Sequence, residues 1–108
     1  MSSLVAWNPA DGEPNLWIQA DLGETRDLYS ITTQGSSRYD NWVTSYYVHY
    51  GDDVSNLHAI ATQYVGNTDQ HTKVTNQLPL NTIGRFVRLY PDTVRKYGTI
   101  RWDVYGGK

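Results

Sequence analysis

Trp42-Val43-Thr44-Ser45-Tyr46-Tyr47-Val48-His49-Tyr50 is the stretch on which the fold turns. Val43, Thr44, Tyr46, Tyr47, Val48 and Tyr50 are β-branched or aromatic, residue types that suit a pleated, half-buried surface. The run predicts a strand opening at Trp42 and turned by Gly51-Asp52-Asp53. Outward from it, the same chemistry recurs. Ile18, Ala20 and Leu22 alternate with Gln19 and Asp21, a period of two that marks a half-buried strand over 16–21 closed by Gly23. A second strand is expected over 27–34, with Tyr29 and Ile31 on one face and Ser30 and Thr32 on the other.

Downstream, 57–65 is expected as a strand weakened by Ala59 and Ala61, and Gly66-Asn67-Thr68-Asp69 has turn chemistry. A short strand over 73–76 leads to the connector Leu78-Pro79-Leu80. Over 85–90, Val87 and Leu89 alternate with Phe86 and Arg88 until Pro91 stops the strand. Over 99–105, Ile100, Trp102 and Val104 share one face against Arg101 and Asp103. Short strands separated by turn signals, with no helix-period segment, predict an all-β fold, an antiparallel sandwich or barrel.

Composition agrees. The 108 residues fit one domain, 1–108, and 39% hydrophobic content supports a folded core. Nine Tyr and four Trp against one Phe favour side chains with an apolar body and a polar edge, suited to half-buried strands and binding surfaces. A net charge of −2 points away from nucleic acid. With no cysteine, disulfides, thiolate metal sites and cysteine nucleophiles are excluded. His49, His58 and His71 are scattered over different elements, without the acid–histidine–nucleophile arrangement that hydrolysis needs. Asp52-Asp53 and Asn67-Thr68-Asp69 lack the spacing of a calcium loop and read as turns. The expectation is a chain that is not an enzyme and needs no metal or cofactor.

The motif order resembles the discoidin family, also called the coagulation factor 5/8 type C domain. The matching pieces are Ala6-Trp7-Asn8-Pro9, Trp17-Ile18-Gln19-Ala20-Asp21-Leu22-Gly23, Ile31-Thr32-Thr33-Gln34-Gly35 and the 42–50 run. Gly66-Asn67-Thr68-Asp69, Arg85-Phe86-Val87-Arg88-Leu89-Tyr90-Pro91 and Arg101-Trp102-Asp103-Val104-Tyr105-Gly106 complete the set. The resemblance implies a jelly-roll-like β-sandwich of the galactose-binding-domain type. Its binding loops cluster at one end, and it recognises phospholipid head groups, galactose-type sugars, collagen or protein partners without catalysis, most often outside the cell. Three departures accompany it. The family's usual segment ahead of the Ala-Trp motif, with its first strand and first binding loop, is expected to be absent. Gly107 stands at the usual terminal cysteine, and Val94 replaces a common loop tryptophan. A missing strand leaves an open sheet edge or a gap in the core, so self-association to cover it is expected.

Three loops are expected at the binding end. In the loop over 8–15, Asn8, Asp11 and Glu13 offer acceptors to sugar hydroxyls or to a cationic group. In the loop over 35–41, Arg38 presents planar bidentate donors, Tyr39 a stacking ring, and Asp40 and Asn41 further acceptors. In the loop over 94–97, Arg95 and Tyr97 complete the cleft. Trp42 is expected to pack in the core, as are Trp7, Trp17 and Trp102. Directional hydrogen-bonding groups beside one apolar platform suit a carbohydrate, so a lectin-like module binding a glycan or glycoconjugate is the leading expectation. Binding to anionic phospholipid is weaker, because the loop tips carry Asp11, Gly12, Ser36, Ser37 and Arg38, with Tyr39 the one large ring. Recognition of a protein or extracellular-matrix partner is the other alternative.

Overall fold

The computed structural model describes residues 17–96 and 100–107 in full and the backbone of 2–7. These described residues form eight strands: β1 (Ser2–Trp7), β2 (Ile18–Gln34), β3 (Trp42–Gly51), β4 (His58–Ala59), β5 (Tyr64–Val65), β6 (Val74–Gln77), β7 (Ile83–Arg95) and β8 (Arg101–Gly107). Every pairing is antiparallel, in the order β1-β8-β2-β7-β3-β4, with β5 on β3 and β6 on β2.

The sheet is continuous through β2, which changes partners along its length. The first part of β2 pairs with β7 from Ile18↔Leu89 to Asp27↔Ile83. The later part pairs with β8 on one edge and with β6 on the other, Thr33 facing both Val74 and Trp102. The expected strands over 16–21 and 27–34 are therefore one 17-residue strand. Gly23 does not close it. Gly23 takes φ +82°, a conformation that costs glycine little, and the register against β7 shifts between Asp21 and Arg26. The chain bulges there and continues between β8 and β6.

Pro91 does not stop its strand either. It lacks an N–H, but the β3–β7 ladder carries register shifts on both sides of Ser45, and β7 runs on to Arg95. Val94 and Arg95 are thus strand residues paired with Val43 and Trp42, where a loop is expected from the sequence. The predicted 57–65 strand is two short pairings on β3, separated at Ile60, whose N–H donates to the Val48 carbonyl. Strand β1 was not read from the sequence; it lies along β8.

The core is built by alternation. Val43, Val48, Val87, Leu89, Ile31, Ile100 and Val104 are fully buried, with Trp102 beside them, as their faces predict. Tyr46 is buried with its ring stacked on Tyr64 at 5.5 Å, and its hydroxyl accepts from Asn76 Nδ2 at 3.0 Å. Burial pushes that phenol up to about 12. Two aromatic expectations are corrected. Tyr29 is exposed, not on the face of Ile31, because the β2–β8 register shifts between Leu28 and Ser30. Trp17 is 45% exposed, not core. It precedes Ile18 and so faces the other way, where the Arg88 guanidinium covers its ring at 3.8 Å.

Candidate functional site

The loop between β2 and β3 starts where no side chain fits. A Cβ on Gly35 would lie 2.6 Å from the Asn41 carbonyl oxygen, so only glycine lets the two ends of the loop approach this closely. The approach is used: Ser36 N–H donates to that same carbonyl at 2.8 Å. The buried Ser36 hydroxyl oxygen then accepts the N–H groups of Arg38 and Tyr39 at 3.2 and 3.1 Å, folding 36–39 into a tight turn.

Beneath the turn, a second loop carries it. Gly35 N–H donates to the Gln70 carbonyl, and Arg101 at the start of β8 donates from Nε to the Gly35 carbonyl at 2.8 Å and from a terminal nitrogen to the Gln70 carbonyl at 3.1 Å. Asn67 is 1% exposed, and its Nδ2 donates to the carbonyls of Thr33 and Thr72, both at 2.9 Å. Asp69 caps the same loop by accepting from the N–H groups of His71 and Thr72. Asn67 and Asp69 act as turn residues, as expected. Asp53 does likewise at Ser55.

What this scaffold presents is Arg38, Tyr39 and Asp40, all exposed. The Arg38 guanidinium carbon stands 5.6 Å from the centre of the Tyr39 ring, which is 52% exposed. Asp40 is clamped to the end of β7: Lys96 Nζ donates to both its oxygens at 3.0 and 3.1 Å, and Arg95 donates at 3.2 Å. Lys96, which takes φ +65°, was not among the expected ligand residues. The Arg95 guanidinium also lies 5.2 Å from the centre of the half-buried Trp42 ring. Asn41, expected as a surface acceptor, is 5% exposed and lies under the loop. Asn8, Asp11, Glu13 and Tyr97 lie outside the described residues.

The clamp has a pH signature. Hydrogen bonds from Lys96 and Arg95 hold the Asp40 carboxyl below its ordinary 3.8. A depressed carboxylate keeps its partners above the unfolded-state value and loses them as pH falls through the lower folded value. Lys96→Gln should therefore move the Asp40 midpoint up toward 3.8 in a carboxyl-carbon NMR titration. An unmoved midpoint would mean that Lys96 does not hold Asp40 in solution.

A separate cleft of about 450 Å³ is lined by Asp27, Tyr29, Leu78, Leu80 and Thr82 among others. It lies midway along β2: Asp27 and Gln34 are separated by about 23 Å of extended strand. Among the described residues, no group of three acidic, histidine or cysteine side chains is placed to hold a metal.

The F5/8 type C domain matches residues 2–103. Contactin-associated protein 1 of Homo sapiens is 29% identical over 98% of the chain, which spans only 8% of that relative's length. Among solved structures, discoidin II of Dictyostelium discoideum superposes with a TM-score of 0.81 at 26% identity, over 94% of this chain and 40% of that one. CpGH89CBM32-5 of Clostridium perfringens, solved with GalNAc-beta-1,3-galactose, gives 0.71 at 21% identity, over 88% of this chain and 68% of that one.

Proposed function

Because the chain belongs to the F5/8 type C domain family, a family of ligand-binding modules, we propose that it is a non-catalytic carbohydrate-binding module that takes its ligand at the Gly35–Asn41 end of the sandwich. The observation that carries this reading is the Ser36 turn, which holds Arg38 and Tyr39 outward together. A planar set of N–H donors beside an exposed ring matches a sugar, whose hydroxyls need directional partners and whose C–H face packs on an aromatic surface. A structure of the same fold solved with GalNAc-beta-1,3-galactose supports the ligand class. In this proposal Arg38, Tyr39 and Arg95 contact ligand, and Asp40 orients the cations. Affinity for one sugar at so open a site is weak, so display in an oligomer, outside the cell and in an adhesive setting, belongs to the same proposal.

A glycan array tests it. The wild-type chain should bind a defined subset of glycans, and Tyr39→Ala should lower that binding by about tenfold or more, equivalent to about 1.4 kcal/mol. Loss of every glycan signal, with retention on phosphatidylserine vesicles or on a matrix protein instead, would replace the carbohydrate reading by the corresponding alternative.

A further inference from the structure

In the described segments 35–41 and 94–96 the balance of charge is opposite in sign to that of the whole chain. Arg38, Arg95 and Lys96 are exposed there, and these two segments hold one carboxylate, Asp40. Together they carry two more positive than negative charges, on a chain with a net charge of −2.

The geometry keeps this excess available. Asp40 takes one contact from Arg95, at 3.2 Å, and a Lys96 ammonium shared between its two oxygens, so two cations divide one negative charge. A guanidinium has five N–H donors, and Arg95 commits one of them to Asp40. The Arg38 guanidinium forms no ion pair among the described residues and faces the Tyr39 ring. Arg38 is two residues from Asp40, hence within about 7 Å along the backbone of the clamp. A planar fork on this loop and an ammonium fixed on its Asp40 suit a carboxylate or sulfate better than a neutral hydroxyl.

We infer that the ligand of this site is an acidic glycan, one carrying uronate, sialate or sulfate, whose anionic group is held by Arg38 and Arg95 while its ring packs on Tyr39. This rests on the carbohydrate reading above and narrows it to one chemical class. Exposed cations act through a screened field, so the anionic contribution depends on salt. Rate of encounter depends on it too, since a positive patch on an acidic surface draws anions to one place.

The experiment is an array pairing uronate, sialylated and sulfated glycans with their neutral counterparts, including trigalacturonate and its methyl ester, read at low and high salt. Phosphatidylserine vesicles form a parallel arm. Acidic glycans should dominate the signal and the methyl ester should bind about tenfold more weakly. Raising sodium chloride from about 50 to about 300 mM should shrink the acidic signal several-fold, the Debye length falling below the reach of the patch. Arg38→Ala should remove the preference for acid over ester, and Arg38→Lys should restore part of it, with far-UV circular dichroism unchanged in both. Signal confined to neutral glycans overturns this inference and leaves the carbohydrate reading standing. No glycan signal at all, or vesicle binding alone, overturns both.

Discussion

Leu89→Ala is expected to lower the free energy of unfolding by about 2–5 kcal/mol, the range for removing a buried leucine when the site collapses incompletely. Leu89 is fully buried and stands between Ile18 of β2 and Val48 of β3 in the cross-strand register. It joins the long strand β2 to the strand that decides the fold. Close packing leaves little freedom to fill the space that three heavy atoms vacate. Urea unfolding would show a lower midpoint with the slope unchanged. Leu80→Ala is the contrast: Leu80 is 94% exposed, and its loss should stay within about 0.5 kcal/mol. If both substitutions cost the same, Leu89 is not in a closed core.

The second large effect falls on Asn67. Asn67→Asp should destabilise the protein by about 3–5 kcal/mol at neutral pH, the scale of an uncompensated buried charge. The asparagine Nδ2 serves the Thr33 and Thr72 carbonyls, and a carboxylate has no hydrogen to give either. At 1% exposure, water cannot replace it. The sign of the pH dependence follows. Burial raises the folded pKa of the new carboxyl above its unfolded value near 4, so the neutral form prevails at low pH and the deficit grows as pH rises. Melting temperature should therefore lie closest to wild type near pH 4 and fall behind toward pH 7. A constant gap across that range would show that the cost is lost hydrogen bonding alone. Because Asn67 lies under the Gly35–Asn41 loop, glycan binding should weaken in the same variant before the protein melts.

Much of the fold was legible because alternation is a local property. Val87 and Leu89 against Phe86 and Arg88, or Ile100, Trp102 and Val104 against Arg101 and Asp103, declare their faces without reference to any other strand, and all five inward residues are buried. The exceptions come from bulges. Gly23, Tyr29 and Pro91 each read as an end or a face by their own chemistry, and in each case a register shift against a partner strand decides otherwise. Nothing within a few residues announces such a shift.

The site divides the same way. The order of motifs in the sequence identified the loop and its outward groups, Arg38 and Tyr39, and the Ser36-Ser37-Arg38 run carries the local signal of a side-chain-capped turn. The supports were not legible. Arg101 reaches Gly35 from 66 positions away, and Lys96 reaches Asp40 from 56. Asn41 reads as an exposed polar residue yet is buried, because the closure at Gly35 turns it inward.

By itself, then, the sequence determined that the chain is antiparallel and all-β and that Arg38 and Tyr39 stand on a loop between two strands, because both rest on side-chain periodicity and on residue type along the chain. Tertiary structure alone decided that β2 changes partners along its length, and that Asp40 is a clamp held by Lys96 and Arg95. Each of these depends on which distant residues meet. A sequence lists charges and hydrogen-bonding groups, but only the paired strands set the distances at which they act.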